Sequence, residues 1–170
     1  MNYKRCFFFL GNIILIFFIA VLFKFSIIEN CLGEVLTDTS AFLSLVLVQN
    51  DGAAFNLFSG FKDLLIFFAV IIILACTIYV LRFRFYISDS FLLQISMFCA
   101  GIFGNAYERY MFGYVTDYIK LNLLNFPVFN IYDVFIVAGA LSIAFVIIKD
   151  KRQELQEIRD AEEDELYSEF

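Results

Sequence analysis

Histidine and tryptophan are both absent from this chain of 170 residues, and proline occurs once. Without histidine there can be no histidine-ligated zinc site, no serine–histidine or cysteine–histidine nucleophile and no imidazole proton shuttle. The four cysteines form no Cys-x-x-Cys pair, so we expect packing roles for them and no disulfide, metal site or cofactor. Any catalysis by this chain must therefore use other side chains.

Apolar residues dominate what is present: 62% of the chain is hydrophobic, with 24 phenylalanines and a mean hydropathy of +0.82. Four apolar stretches, at about 6–28, 63–82, 89–108 and 131–149, each reach the length that crosses a bilayer. No small-residue cleavage site follows the first stretch, which is interpreted as an uncleaved transmembrane helix. The predicted fold is an all-α membrane protein, a four-transmembrane-helix bundle forming one domain over residues 1–149.

The net charge of −6 comes from the end of the chain. Residues 150–170 hold nine acids and three bases, whereas residues 1–149 hold nine of each. This segment is predicted to be a solvated, partly helical acidic tail, and no nucleic-acid partner is expected. Lysines and arginines cluster at 4–5, 82–84 and 149–152, so the positive-inside rule places both termini in the cytoplasm. The loops at 29–62 and 109–130 then face outward.

The first outer loop contains a β-type run at 41–48, the turn sequence Asn50-Asp51-Gly52 and a second apolar run at 53–58. This pattern predicts a small β-hairpin with Asp-Gly in its turn, on the outer face of the bundle. Its edge is suited to holding an extended peptide by main-chain hydrogen bonds. A hairpin that simply caps the bundle is the alternative.

The third apolar stretch places Gly101, Gly104, Asn105 and Glu108 on one helical face, with Arg109 beside it. Glycines on such a face allow a neighbouring helix to approach closely. A packing seam explains the glycines but leaves the three polar residues near the outer end of the helix unexplained.

Two aspartates are the most informative residues in the chain. Asp133 lies inside the fourth apolar stretch, one turn after Asn130, and a carboxylate at that depth indicates a functional site. Asp117 lies in the outer loop before it, where a surface acid is the alternative. Two carboxylates that meet in a poorly solvated site share one proton. Such a pair can act as general base and general acid when water attacks a peptide bond.

Four motifs, in this order between the four stretches, resemble those of lipoprotein signal peptidases, also called type II signal peptidases. They are VQNDGAAF at 48–55, GNAYER at 104–109, GYVTDYI at 113–119 and FPVFNIYD at 126–133, and the resemblance covers about residues 10–148. It implies an aspartic peptidase of the bacterial inner membrane with Asp117 and Asp133 as its catalytic pair. It further implies that residues at five motif positions position the substrate or the pair: Asn50, Gly52, Asn105, Arg109 and Asn130.

The same resemblance implies the partners. The substrate would be a prolipoprotein cleaved just before a cysteine that carries diacylglycerol, and membrane lipids would surround the enzyme. Because one chain supplies both aspartates, a monomer is expected. Arg109 would orient a substrate carbonyl, hold asparagine and aspartate side chains in place, or form a structural ion pair with Glu108 or another acid.

Three positions depart from the family pattern. The family has an aspartate four residues before Lys24, where this chain has Ala20, so Lys24 lacks a local counter-ion. It can snorkel to the interface or reach Glu29 or an acid on another helix, and we expect lost packing support more than lost chemistry. Glu108 stands where the family usually has aspartate. Tyr132 stands where a small alanine usually precedes the second catalytic aspartate, and the sequence leaves open how this larger side chain affects the local shape of the pocket.

Three alternatives to an active peptidase remain. A divergent relative would hold lipid-modified signal peptides without cutting them, with Ala20 and Tyr132 as its support. A small structural membrane protein would explain the hydrophobicity but has no use for Asp117 and Asp133. A serine–lysine peptidase based on Lys24 would need a serine beside that lysine, and no serine is evidently placed there.

Overall fold

The computed structural model describes residues 4–32, 42–53, 57–83, 85–122 and 126–168. The order of elements is α1 (Lys4–Leu32), β1 (Leu43–Asn50), α2 (Lys62–Phe83), α3 (Asp89–Phe112), β2 (Val115–Leu121) and α4 (Ile131–Ser168). Each predicted apolar stretch falls within one helix, and all four helices are long and apolar enough to cross a membrane. The predicted four-helix membrane fold is therefore confirmed.

Helix α3 is the centre of the bundle and packs against α1, α2 and α4. Half of its apolar segment is buried in protein, compared with 6–11% for the other three helices. At one end of the bundle a cluster of fully buried side chains joins Phe9 of α1 and Val80 of α2 to Leu92 and Cys99 of α3. The other three helices therefore present most of their apolar surface to lipid, which solvates it as well as a protein core would.

The seam between α3 and α4 is unusually close, as the glycines of α3 predict. A Cβ added at Gly101 would lie 2.5 Å from the backbone oxygen of Tyr132, and one added at Gly139 would lie 2.8 Å from the Cβ of Phe98. Side chains at these positions would push the two helices apart. The glycines therefore allow α3 to bring its polar C-terminal turn against the first turn of α4.

Local signals set both ends of α3. The side chain of Ser88 accepts a hydrogen bond from the backbone N–H of Phe91 at 3.2 Å, which caps the first turn. At the other end Gly113 has a φ of 86°, and its N–H donates to the carbonyl of Arg109 at 3.0 Å. That left-handed residue favours glycine and turns the chain directly into β2.

The predicted local hairpin in the first outer loop is wrong in its pairing. Strand β1 pairs antiparallel with β2, which lies between α3 and α4, with Asn50 opposite Val115, Val48 opposite Asp117 and a register shift between Leu45 and Val48. Residues 53, 57 and 58 of the predicted second strand lie in bends or turns, and residues 54–56 lie outside the described part. The reason is a tight turn at the end of β1, in which the Asn50 Oδ1 atom accepts a hydrogen bond from the backbone N–H of Gly52 at 3.0 Å. This turn ends β1, and the chain after it does not run back alongside the strand.

The acidic tail begins inside α4, which continues without a break to Ser168. The side chains of the tail that the structure describes are all exposed. Among the cysteines, Cys6, Cys76 and Cys99 are free thiols, and the side chain of Cys31 lies outside the described part.

Candidate active site

Asn130 and Asp133 form a reciprocal cap at the start of α4. The Asn130 Oδ1 atom accepts hydrogen bonds from the backbone N–H groups of Tyr132 at 2.7 Å and Asp133 at 3.2 Å. In return, Asp133 Oδ2 accepts the backbone N–H of Asn130 at 3.0 Å. This is a capping box with asparagine and aspartate in its two positions. The box fixes the carboxylate of Asp133 at the first turn of the helix, where the helix dipole favours negative charge.

Asp117 projects from β2 and is held by the same asparagine. Asn130 Nδ2 donates to Asp117 Oδ1 at 2.7 Å, and Asn50 Nδ2 donates to Asp117 Oδ2 at 2.8 Å. Asn130 therefore binds Asp117 through its side chain and Asp133 through its backbone N–H. One residue thus links the two carboxyl groups, and Asp117 is only 2% exposed.

Asn105 of α3 completes this network. Its Nδ2 atom donates to Asp133 Oδ1 at 2.8 Å, and its Oδ1 atom accepts from Asn130 Nδ2 at 3.1 Å. Each of the four carboxyl oxygens of Asp117 and Asp133 therefore accepts one N–H. Hydrogen bonds to an ionised acceptor are stronger than those between neutral groups, so this arrangement orients both acids.

Arg109 does not pair with its neighbour Glu108. Its guanidinium donates to the backbone oxygens of Gly52 at 2.5 Å and Asn105 at 3.2 Å, and its buried Nε has no protein partner in the described part of the chain. The arginine therefore ties the turn after β1 to α3. Of the three roles considered for it from the sequence, the ion pair with Glu108 is the one that this geometry excludes.

Glu108 instead pairs with Lys24 of α1, at 2.6 Å between Nζ and Oε1. Its second carboxylate oxygen accepts the backbone N–H of Thr116, next to Asp117, at 2.9 Å. Lys24, which has Ala20 and not an aspartate four residues before it, therefore pairs with an acid on α3. That ion pair links α1 and α3 to the strand that carries Asp117.

Tyr132 does not line the cavity. Its ring is 2% exposed and lies against Gly104, where an added Cβ would come within 2.2 Å of a ring carbon. On its other side it stacks on Phe17 of α1, with 6.3 Å between ring centroids and 14° between planes. The larger side chain is accommodated between helices and does not enter the cavity in front of Asp133.

Tyr118 is a site residue that the sequence analysis missed. It is fully buried beside Asp117, and its hydroxyl oxygen accepts the backbone N–H of Ile131 at 3.2 Å. Residues 118 and 119 also form a short antiparallel pairing with Phe129. Strand β2 is therefore held directly against the start of α4. The feature of the sequence that could have identified Tyr118 is its position next to Asp117 in the GYVTDYI motif.

Both aspartates open onto one cavity of about 640 Å³. Six of the seven predicted site residues line it, and Gly52 contributes its carbonyl to Arg109 without lining the space. The rest of the wall is largely apolar and comes from β1, the segment before α4 and α4 itself, including Val48, Phe126, Ile136 and Val137. No group of three or more metal-ligating side chains is found in the described part.

Burial raises the pKa of the Asp117 carboxyl to about 6, against the opposing effect of the Asn50 and Asn130 amides. Replacing Asn50 with alanine removes one of these donors and disfavours the ionised form. We expect the limb of the activity–pH profile near pH 6 to move upward by about one unit, since such a hydrogen bond stabilises the charge by roughly 1.5 kcal/mol.

The measurement is kcat/KM as a function of pH for the Asn50→Ala variant. Ser44→Ala is the matched control, because Ser44 lies on the same strand and bonds Asn122 rather than Asp117. If the limb of the activity–pH profile near pH 6 stays in place in Asn50→Ala, or moves equally in Ser44→Ala, then the Asn50 amide does not stabilise the ionised form of Asp117.

Comparison with known proteins identifies the family of this chain. The family model described as "Signal peptidase (SPase) II" matches residues 4–149. The chain is 34% identical over 113 residues to a lipoprotein signal peptidase of Caldicellulosiruptor bescii, covering 66% of this chain and 72% of the relative. It is 32% identical over 130 residues to that of Enterococcus faecalis, covering 76% and 80%. A solved bacterial membrane enzyme superposes with a TM-score of 0.67 at 28% identity, over 83% of this chain and 90% of that one. The chain belongs to the signal peptidase II family.

Proposed function

We propose that this protein is a membrane aspartic endopeptidase that removes the signal peptide from diacylglyceryl-modified bacterial prolipoproteins, with Asp117 and Asp133 as its catalytic pair. The observation that carries the proposal is the hydrogen bonding of Asn130 to both carboxyl groups at the wall of one cavity. The names of the relatives support the substrate class.

The pair works with one carboxyl ionised and the other protonated, because two negative charges close together in a water-poor site raise one pKa. The ionised acid takes a proton from water as the water oxygen attacks the scissile carbonyl. The protonated acid donates a hydrogen bond to the developing oxyanion and then protonates the leaving amine as the C–N bond breaks. Asn50, Asn105 and Asn130 keep both acids oriented through these steps, and Arg109 fixes the turn at Gly52.

The surroundings of the pair suit a lipid-modified substrate. The apolar part of the wall, including Val48 and Val137, accepts acyl chains next to the polar dyad. We place the domain of residues 1–149 in the inner membrane with both termini in the cytoplasm. The reason is that lysines and arginines cluster at both ends of this domain, at 4–5 and 149–152. Residues 150–170 then form a cytoplasmic tail. One chain supplies the whole site, so the active unit is a monomer.

The test is cleavage by the purified protein in lipid vesicles. A prolipoprotein with a diacylglyceryl cysteine is expected to be shortened by the length of its signal peptide, and the unmodified precursor to be cleaved far more slowly. Mass spectrometry of the product checks the position of the cut. Tight binding of the modified precursor with no product would instead support the alternative function, a divergent family member that holds lipid-modified signal peptides without cutting them. If the precursor were neither bound nor cleaved, both the peptidase and this alternative would be rejected.

A further inference from the structure

Glu108 is a buried carboxylate that lies outside the cavity of the candidate active site. Its side chain is 3% exposed, and neither Glu108 nor its partner Lys24 lines the cavity that holds the two aspartates. It therefore contacts neither the substrate nor the reacting atoms. An ionisable side chain within a membrane helix is costly and requires partners, so its contacts indicate what this carboxylate does.

The two oxygens of Glu108 serve two different elements. Oε1 accepts a hydrogen bond from the Lys24 ammonium of α1 at 2.6 Å, and Oε2 accepts the backbone N–H of Thr116 in β2 at 2.9 Å. An ion pair that only held α1 against α3 would need the first of these contacts and not the second. Because Glu108 itself belongs to α3, one side chain joins two helices to the strand.

The contact with β2 falls directly beside Asp117. Thr116 and Tyr118 flank this aspartate, and each is bound through its backbone: the N–H of Thr116 by Glu108, and the N–H of Tyr118 by the carbonyl of Phe129 at 3.0 Å. The direction of a side chain in a strand follows from its backbone. Release of the Thr116 N–H would therefore let the Asp117 carboxyl group move relative to its partner in the catalytic pair.

We propose that Glu108 is a positioning residue of the peptidase: it fixes the backbone of β2 beside Asp117, and Lys24 holds the carboxylate in the orientation that does so. The inference rests on the proposed function, because it concerns the alignment of the aspartic pair. Lys24 occupies Oε1 and thereby leaves Oε2 to face the strand. Misplacement of a reacting group by about 1 Å costs up to about 100-fold in rate, so this contact has a large effect on turnover.

Glu108→Gln tests the role of the second oxygen. Glutamine keeps the size of the side chain but has one oxygen, whereas both partners of Glu108 are donors. The charged ammonium of Lys24 takes that oxygen, and the amide N–H groups then face the N–H of Thr116. We expect kcat for lipid-modified prolipoprotein to fall at least about tenfold and KM to change by less than about twofold, since Glu108 does not line the cavity.

A second substitution should restore the contact. Lys24→Met removes the competing donor, so in the double variant Lys24→Met/Glu108→Gln the glutamine oxygen accepts the Thr116 N–H and no buried charge is left unpaired. We expect this double variant to recover most of the kcat that Glu108→Gln loses. Asp89→Asn is the matched control, because Asp89 is also an acid of α3 that pairs with a base of α1, Arg5 at 3.7 Å, at the other end of the bundle. Its kcat should equal that of the wild type.

Hydrogen exchange of the Thr116 amide, followed by NMR in lipid nanodiscs without substrate, reads the contact directly. We expect exchange to be at least about tenfold faster in Glu108→Gln than in the wild type, and slow again in the double variant. Unchanged exchange in Glu108→Gln, or a loss of kcat that the double variant does not recover, would overturn the role of Glu108. Because exchange needs no cleavage, a wild-type protein that protects Thr116 but cuts no prolipoprotein would instead reject the peptidase function.

Discussion

Asp117→Asn and Asp133→Asn are each expected to reduce turnover of lipid-modified prolipoprotein by at least about 10³-fold. Asparagine keeps the size of the side chain but cannot accept the proton of water or donate an O–H to the oxyanion. Both carboxyl oxygens of each aspartate also accept an N–H group, so an amide in their place turns one of its own N–H groups toward a donor. The loss should therefore appear in kcat, measured by single-turnover cleavage.

Asp51→Asn is the matched control for both variants. Asp51 lines the same cavity, yet its carboxylate is exposed and bonds the hydroxyl of Ser59 at 2.6 Å, outside the Asn130 network. Its turnover should stay within a few-fold of wild type. The thermal midpoint in lipid, read for all three proteins, distinguishes lost chemistry from unfolding. Normal cleavage by either Asp117→Asn or Asp133→Asn would remove the aspartic pair from the mechanism.

The sequence was sufficient for the parts of this molecule that depend on local properties. Hydropathy over about 20 residues identifies a membrane helix wherever its neighbours lie, and a carboxylate within such a run is costly in any arrangement. The four helices and the special position of Asp133 follow from these two facts. The Asn130-x-x-Asp133 capping box was not predicted, although a box depends on residues three apart in sequence and its signal was therefore local.

Contacts between distant segments could not be predicted in this way. The partner of β1 is β2, and two helices separate them in sequence, so the local turn signal at Asn50–Gly52 favoured the wrong pairing. The acid that pairs with Lys24 is 84 residues away, on α3. The effect of the tyrosine at position 132 could not be predicted for the same reason. Whether a large ring there enters the cavity or the helix seam depends on how α3 and α4 are rotated about their axes.

The ring of Tyr132 makes Gly104 the most size-restricted of the three glycines in the seam between α3 and α4. Gly104→Ala would place a Cβ 2.2 Å from the ring, which sits between α3 and the Phe17 ring of α1. Overpacking of this kind costs roughly 1–3 kcal/mol. The strain falls on the first turn of α4, directly before Asp133. We expect Gly104→Ala to lower both the thermal midpoint and kcat, the latter at least about tenfold, since about 1.4 kcal/mol of barrier corresponds to a factor of ten.

A double variant shows whether the clash is the cause. Tyr132→Ala alone should destabilise by roughly 3 kcal/mol through the cavity it leaves, but it removes the ring that the new methyl group meets. Gly104→Ala combined with Tyr132→Ala should therefore be more active and more stable than the two separate effects predict, by about 1 kcal/mol or more of coupling. Gly11→Ala is the control, because an added Cβ there meets nothing within 4 Å. Simple additivity of the pair, or equal losses in Gly11→Ala, would mean that the fit between Tyr132 and Gly104 does not position Asp133.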